Sequence, residues 1–276
     1  MAAIWNIPIV GYMSTSAALR NKNIYKTLSR VTLTSSNSLA NALGLVLQHF
    51  NYSQVAIASG RNVAQMADAI KQMLVNNSIT LAAHAVFDEN ATAEIIAASH
   101  QLQNIRENAR IIIVVFGPQL SAANVFAKAV SLAGMKNSDY LYIYLTIYHG
   151  YPDYLPWIAS NGTLVQEIKS YYDNSIIIDN DGYANKSVEN FFIKVNRTLG
   201  FQITDLDSNY IAGYMQLYDA VYVYYKSLLA AIDQANGDVN VYLNGSYIWN
   251  LERTLPNASS PQFYGQFSID CLSSSI

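Results

Sequence analysis

Four histidines, one cysteine and a sparse set of carboxylates are the most reactive groups this 276-residue chain has to offer. His49, His84, His100 and His149 have no partner at metal-ligand spacing and no cysteine cluster beside them, so no metal site is expected. Cys271 stands alone, which excludes an internal disulfide. No G-x-S-x-G turn presents a serine nucleophile, and no glycine-rich phosphate cradle occurs. Asp88, Glu89, Asp179 and Asp181 sit beside turn-forming residues, where Asp is favoured for local hydrogen bonding. General acid–base transfer would need a positioned partner for one of them, and none is signalled. The expectation is a chain that is not an enzyme and requires no cofactor.

Binding chemistry is better supplied. Ser14, Thr15 and Ser16 follow a short apolar run, Ile7 to Tyr12. Three consecutive hydroxyl residues after a strand can present side-chain and backbone donors to an anion or a carboxylate. The same run also suits a helix cap or a turn. Further candidates follow other apolar runs: Arg61 after Ser59-Gly60, Asp88 after Phe87, and Tyr148 at the end of a tyrosine-rich stretch. Arg61, Asp88 and Tyr148 would share one end of a sheet if their runs are parallel strands, and Ser14 to Ser16 would end the N-terminal strand; ligands of open α/β sheets lie beyond such carboxyl ends.

The pattern between them supports that. Val55 to Ser59 reads as a buried strand, and Val63, Met66, Ala67, Ile70, Met73 and Leu74 recur at helical spacing. Ile79 to Phe87 reads as a second strand. A helix follows, capped by Asn90 or Thr92, with Ile95, Leu102 and Ile105 inward. Ile111 to Phe116 is a continuous β-branched run, as expected of a strand covered on both faces. Ser121 opens a helix that Gly134 closes; Tyr140–Tyr148 and Ile176–Asp179 add strands. Alternating strands and helices imply a doubly wound parallel sheet. Beyond it, a long helix is expected from about Ser208 to Ala235, ended by Gly237. Its apolar face would run through Ile211, Met215, Tyr218, Val221, Tyr222, Tyr225, Leu228, Leu229 and Ile232. The first 50 residues offer one strand, a polar loop and a helix from Ser38 to Phe50, too little to cover both faces of a sheet by themselves.

Composition narrows the function. Charged residues are 13% of the chain, against about 25% in typical soluble domains, and the net charge is −3. A nucleic-acid binder needs clustered Lys and Arg; the densest basic stretch holds Arg20, Lys22, Lys26 and Arg30 and reads as a solvated loop. Asparagine and hydroxyl residues replace the missing charge. Eight Asn-x-Ser/Thr acceptors result, at Asn51, Asn76, Asn90, Asn161, Asn185, Asn196, Asn244 and Asn257, where chance placement gives about three or four. That texture suits a glycosylated, extracellular protein. The opening residues, Met1 to Pro8, have neither the basic nor the apolar region of a signal peptide, and no apolar run approaches a membrane span. The chain is thus expected to be extracellular in kind and truncated in extent.

A set of short motifs in fixed order carries a resemblance. Ala3–Pro8 (AIWNIP), Tyr12–Ser16 (YMSTS), Leu19–Lys22 (LRNK) and Tyr25–Arg30 (YKTLSR) open it. Phe50–Tyr52, Asn174–Asp179, Leu217–Tyr222 (LYDAVY), Asn244–Asn250 (NGSYIWN) and Gly265–Asp270 (GQFSID) continue it. Together they resemble the ligand-binding region of receptor-type guanylate cyclases, of the nematode kind, and of natriuretic-peptide receptors. The resemblance implies the type I periplasmic-binding-protein fold: α/β, two doubly wound lobes clamping ligand between them. It places 1–50 and 185–250 in a membrane-distal first lobe, and 51–184 with 251–276 in the second. Relative to that family the first lobe lacks its opening strands, which implies exposed strand edges. The segment Ser59 to Ala64 also looks shorter than the family's.

By that resemblance the expected role is to bind an extracellular peptide or small molecule for cGMP signalling, as a homodimer in the complete receptor. Ser14, Thr15 and Ser16 from one lobe and Arg61, Asp88 and Tyr148 from the other would contact a ligand held in the cleft; peptide-binding relatives hold theirs at the dimer surface instead. A truncated, non-signalling fragment (a decoy or gene remnant) is the alternative reading. An intracellular enzyme on a Rossmann-like fold would need the nucleotide or catalytic signature that is missing.

Overall fold

The computed structural model describes residues 4–12, 14, 19, 21–31, 36–117, 120–146, 155–159, 162–178, 185–202 and 211–254. The chain forms two compact units, Met1–Ser35 with Asp181–Ile276, and Ser36–Asn180. The helix α1, Ser36–His49, therefore belongs with the second unit, where it packs against α2 and β7.

The second unit is built on five parallel strands: β3 (Gln54–Gly60), β4 (Thr80–Phe87), β5 (Ile111–Val115), β6 (Leu141–Leu145) and β7 (Ser175–Ile178). They lie in the order β4-β3-β5-β6-β7, every neighbouring pair parallel. Odd-numbered residues Val55, Ile57, Ile113, Val115, Ile143 and Leu145 point to one face, where α1 and α2 (Ala64–Asn76) cover them with Leu39, Leu43, Leu47, Ile70 and Leu74. Even-numbered Ala56, Ala58, Ile112, Val114, Tyr142 and Tyr144 point to the other. There α3 (Ala93–Ala97), α4 (His100–Asn108) and α5 (Leu120–Leu132) bring Ile96, Leu102, Ile105, Phe126 and Val130. A strand apolar at every position is what two covered faces require. The short α6, Gln166–Tyr171, leads into β7.

The expected single helix after β4 is two. Ser99 interrupts it: its Oγ accepts the Leu102 N–H and opens α4, resetting the helical phase. Ile96 turns inward in consequence, and Ile95, expected inside, is exposed. Gly134 and Gly237 close their helices at positive φ, 69° and 89°, where a residue without Cβ is unstrained.

In the first unit β1 (Ile9–Tyr12) pairs in parallel with β2 (Leu28–Val31). No hydropathy pattern marks β2, which overlaps the basic stretch expected to be a solvated loop. All four of its residues are buried, Arg30 at 1% exposure among them. Three helices accompany the pair: α7 (Asn185–Leu199), α8 (Ile211–Gln234) and α9 (Gly245–Thr254). α8 packs on β1, β2 and α9, while α9 packs on β2. Residues 255–276, expected to close the second lobe, lie outside the described residues.

Candidate ligand-binding site

Strand order in the second unit reverses between β3 and β5: the chain leaves β3 toward β4 on one side and returns to β5 on the other. The carboxyl ends of β3 and β5 therefore border the crevice where doubly wound sheets take ligands. β3 ends in Gly60, and a 3-10 turn, Arg61–Val63, carries the chain into α2. The Asn62 N–H donates to Glu89 Oε1 at 2.8 Å, tying this turn to the end of β4. Both flanking glycines leave room for that approach. A Cβ on Gly60 would stand 2.4 Å from Glu89 Oε1, and one on Gly117 only 2.0 Å from Asn62 Nδ2. Asn62 thus occupies the notch at the switch point, held by Glu89 on one side and admitted by Gly117 on the other.

Arg61 and Asp88, both anticipated, stand on this rim and are exposed. Asp88 Oδ1 accepts the Asn90 N–H at 2.9 Å, which shapes the turn after β4 and leaves its other oxygen to solvent. Asn62 and Glu89 were not anticipated as site residues. Their signal was the pair of glycines closing two adjacent strands, since glycine at a strand end marks close approach of another group. Below the rim, the buried Ser59 hydroxyl and His84 Nε2 lie 3.0 Å apart. Burial, assisted by the charge of Lys71, holds the His84 pKa below its usual value.

In the first unit, Ser14 follows β1 in the expected position. Its hydroxyl donates to the Tyr12 carbonyl at 3.2 Å, forming a tight turn beside Gly11. Its own carbonyl accepts a 2.8 Å hydrogen bond from Arg30 Nη1. Thr15, Ser16 and Tyr148 lie outside the described residues.

The family description "Receptor family ligand binding region" matches residues 1–270. The chain belongs to that family. Two relatives from Caenorhabditis elegans resemble it over 92% of its length: receptor-type guanylate cyclase gcy-23 at 33% identity and receptor-type guanylate cyclase gcy-8 at 31%. Receptor-type guanylate cyclase gcy-20 matches 52% of the chain at 24% identity. The chain spans 24% of gcy-23 and 22% of gcy-8. The family model that matches describes a receptor ligand-binding region and not a catalytic domain.

Within this ligand-binding region, no group of three His, Cys, Asp or Glu among the described residues is placed to hold a metal ion. No described helix is long and apolar enough to cross a membrane. Of the eight acceptor asparagines, Asn51, Asn76, Asn90, Asn196 and Asn244 are exposed. Asn185 opens α7, and Asn161 and Asn257 lie outside the described residues.

Proposed function

We propose that this chain is the extracellular ligand-binding region of a receptor guanylate cyclase-like protein, which senses a peptide or small molecule and controls cGMP formation elsewhere in the receptor. The observation that carries the reading is the family match over residues 1–270, joined to similarity with receptor-type guanylate cyclases over 92% of the chain. Ligand contacts are assigned to Arg61 and Asp88 at the carboxyl ends of β3 and β4, together with Asn62 and Glu89, and to Tyr148. In the first unit they are assigned to Ser14, Thr15 and Ser16. Arg61 supplies a cation after β3, and Asp88 and Glu89 supply carboxylates after the neighbouring strand β4. Such a rim suits a ligand that bears both an acidic and a basic group, as a peptide or amino acid does. The exposed acceptor asparagines support passage through the secretory route, with glycans at Asn51, Asn76, Asn90, Asn196 and Asn244. In the complete receptor the chain is proposed to pair as a homodimer.

The test is a melting-temperature titration of the chain with a panel of free amino acids and short peptides. A saturable upward shift, lost in Arg61→Ala and weakened in Asp88→Asn, is expected, because ligand that binds the folded form stabilises it by mass action. A saturable shift that neither substitution changes removes the rim assignment. In the full-length gene product the same two substitutions are expected to blunt ligand-dependent cGMP formation.

A further inference from the structure

Glu252 has no exposed surface, yet it is a carboxylic acid in the core of the first unit. It projects from α9 toward β2, where the Ser29 hydroxyl donates to its Oε2. Its other oxygen, Oε1, is buried with no hydrogen-bond partner. A carboxylate in such a place leaves one charged oxygen without water or a donor, whereas a neutral carboxylic acid has much less to lose. Beside it, Trp249 Nε1 donates to the Leu28 carbonyl at 3.0 Å, so two side chains of α9 fasten onto consecutive residues of β2. The next residue, Arg30, holds the Ser14 carbonyl.

Among the described residues, the charged groups around this packing are few. Lys22 donates to the Leu28 carbonyl from the preceding loop, β2 brings Arg30, and α8 brings the fully buried Asp219. Tyr218, Tyr222, Lys226 and Asp233 on α8 are half-buried or exposed. None of these charges is a cause of the displacement of Glu252. Burial pushes its pKa from 4.5 up to about 7, and the Ser29 hydrogen bond opposes part of that rise.

We propose that Glu252 is a proton-operated latch of the first unit: neutral, it seats α9 on β2 and keeps the Ser14 turn clamped through Arg30; ionised, it loosens α9 from β2 and frees that turn. The latch stands whether or not Ser14 contacts ligand. Because the folded chain holds this proton more tightly than the unfolded chain, the stabilisation is complete below pH 4.5 and is lost as pH rises toward 7.

Urea unfolding of the full chain between pH 5 and pH 8 tests it, with hydrogen exchange, corrected for intrinsic rate, over residues 28–31 and 245–252. The wild type should gain about a hundredfold in its unfolding equilibrium constant relative to Glu252→Gln, and lose protection in both segments at the higher pH. Ser29→Ala removes the one hydrogen bond favouring the ionised form and should move the loss to higher pH. Parallel pH profiles for wild type and Glu252→Gln would overturn the latch. Should Glu252→Gln fail to fold, carbon-13 titration of the Glu252 carboxyl in the wild type decides: a midpoint near 7 supports it and one between 4 and 5 overturns it.

Discussion

Asn62 shows how one side chain can organise a rim. Its backbone is bonded to Glu89 and its amide fills space that only a glycine at position 117 leaves open. Gly117→Ala must displace the exposed Asn62 side chain, so urea unfolding is expected to shift by no more than about 0.5 kcal/mol while ligand affinity falls. His84 gives a second prediction. Its pKa is held low, so the folded unit prefers the neutral ring; that preference is fully present above pH 6.5 and lost as pH falls below it. His84→Gln should remove this acid-side loss, measured as melting temperature against pH. At this scale Arg61 and Asp88 were legible in the sequence because each follows an apolar run directly. Arg30 was not. A basic residue amid Arg20, Lys22 and Lys26 reads as solvated until β2 is seen to bury it with its guanidinium bonded to a carbonyl. Hydrogen bonds to the backbone leave no trace in a hydropathy pattern.

The helices divide by how they are buried. α1, α2 and α5 were legible because each lays an apolar stripe on an apolar sheet. α8 is different. Its buried line includes Met215, Gln216, Asp219, Ala220, Val223, Ser227 and Ala231, whereas Val221, Tyr225 and Leu229 are exposed. The expected face, chosen for its large apolar residues, is therefore only partly the core face. Small and polar side chains make up much of that line; the buried Ser227 hydroxyl donates to the Val223 carbonyl one turn back. Val223→Asp should unfold the first unit, while Val221→Asp should change stability by no more than about 0.5 kcal/mol; circular dichroism melts of the two variants check this. Ser99→Ala probes the break between α3 and α4. Loss of this N-cap should cost about 1 kcal/mol in urea unfolding.

At the scale of the molecule, the sequence specified the second unit well, because strands buried on both faces repeat in register with amphipathic helices. The switch between β3 and β5 then follows from strand order alone, and with it the place where ligand should lie. The first unit was harder to read, since a two-strand sheet with several buried polar groups departs from the binary pattern that sequence reading relies on. The family match supplied what periodicity could not, namely that both units belong to one receptor ligand-binding region. Its central claim, that ligand engages the carboxyl ends of the second unit's strands, is tested most directly by hydrogen exchange of the chain with and without a stabilising peptide or amino acid. The account predicts new protection at residues 59–63, 87–90 and 116–117. Protection confined to α8 or to the amino ends of the strands would contradict it.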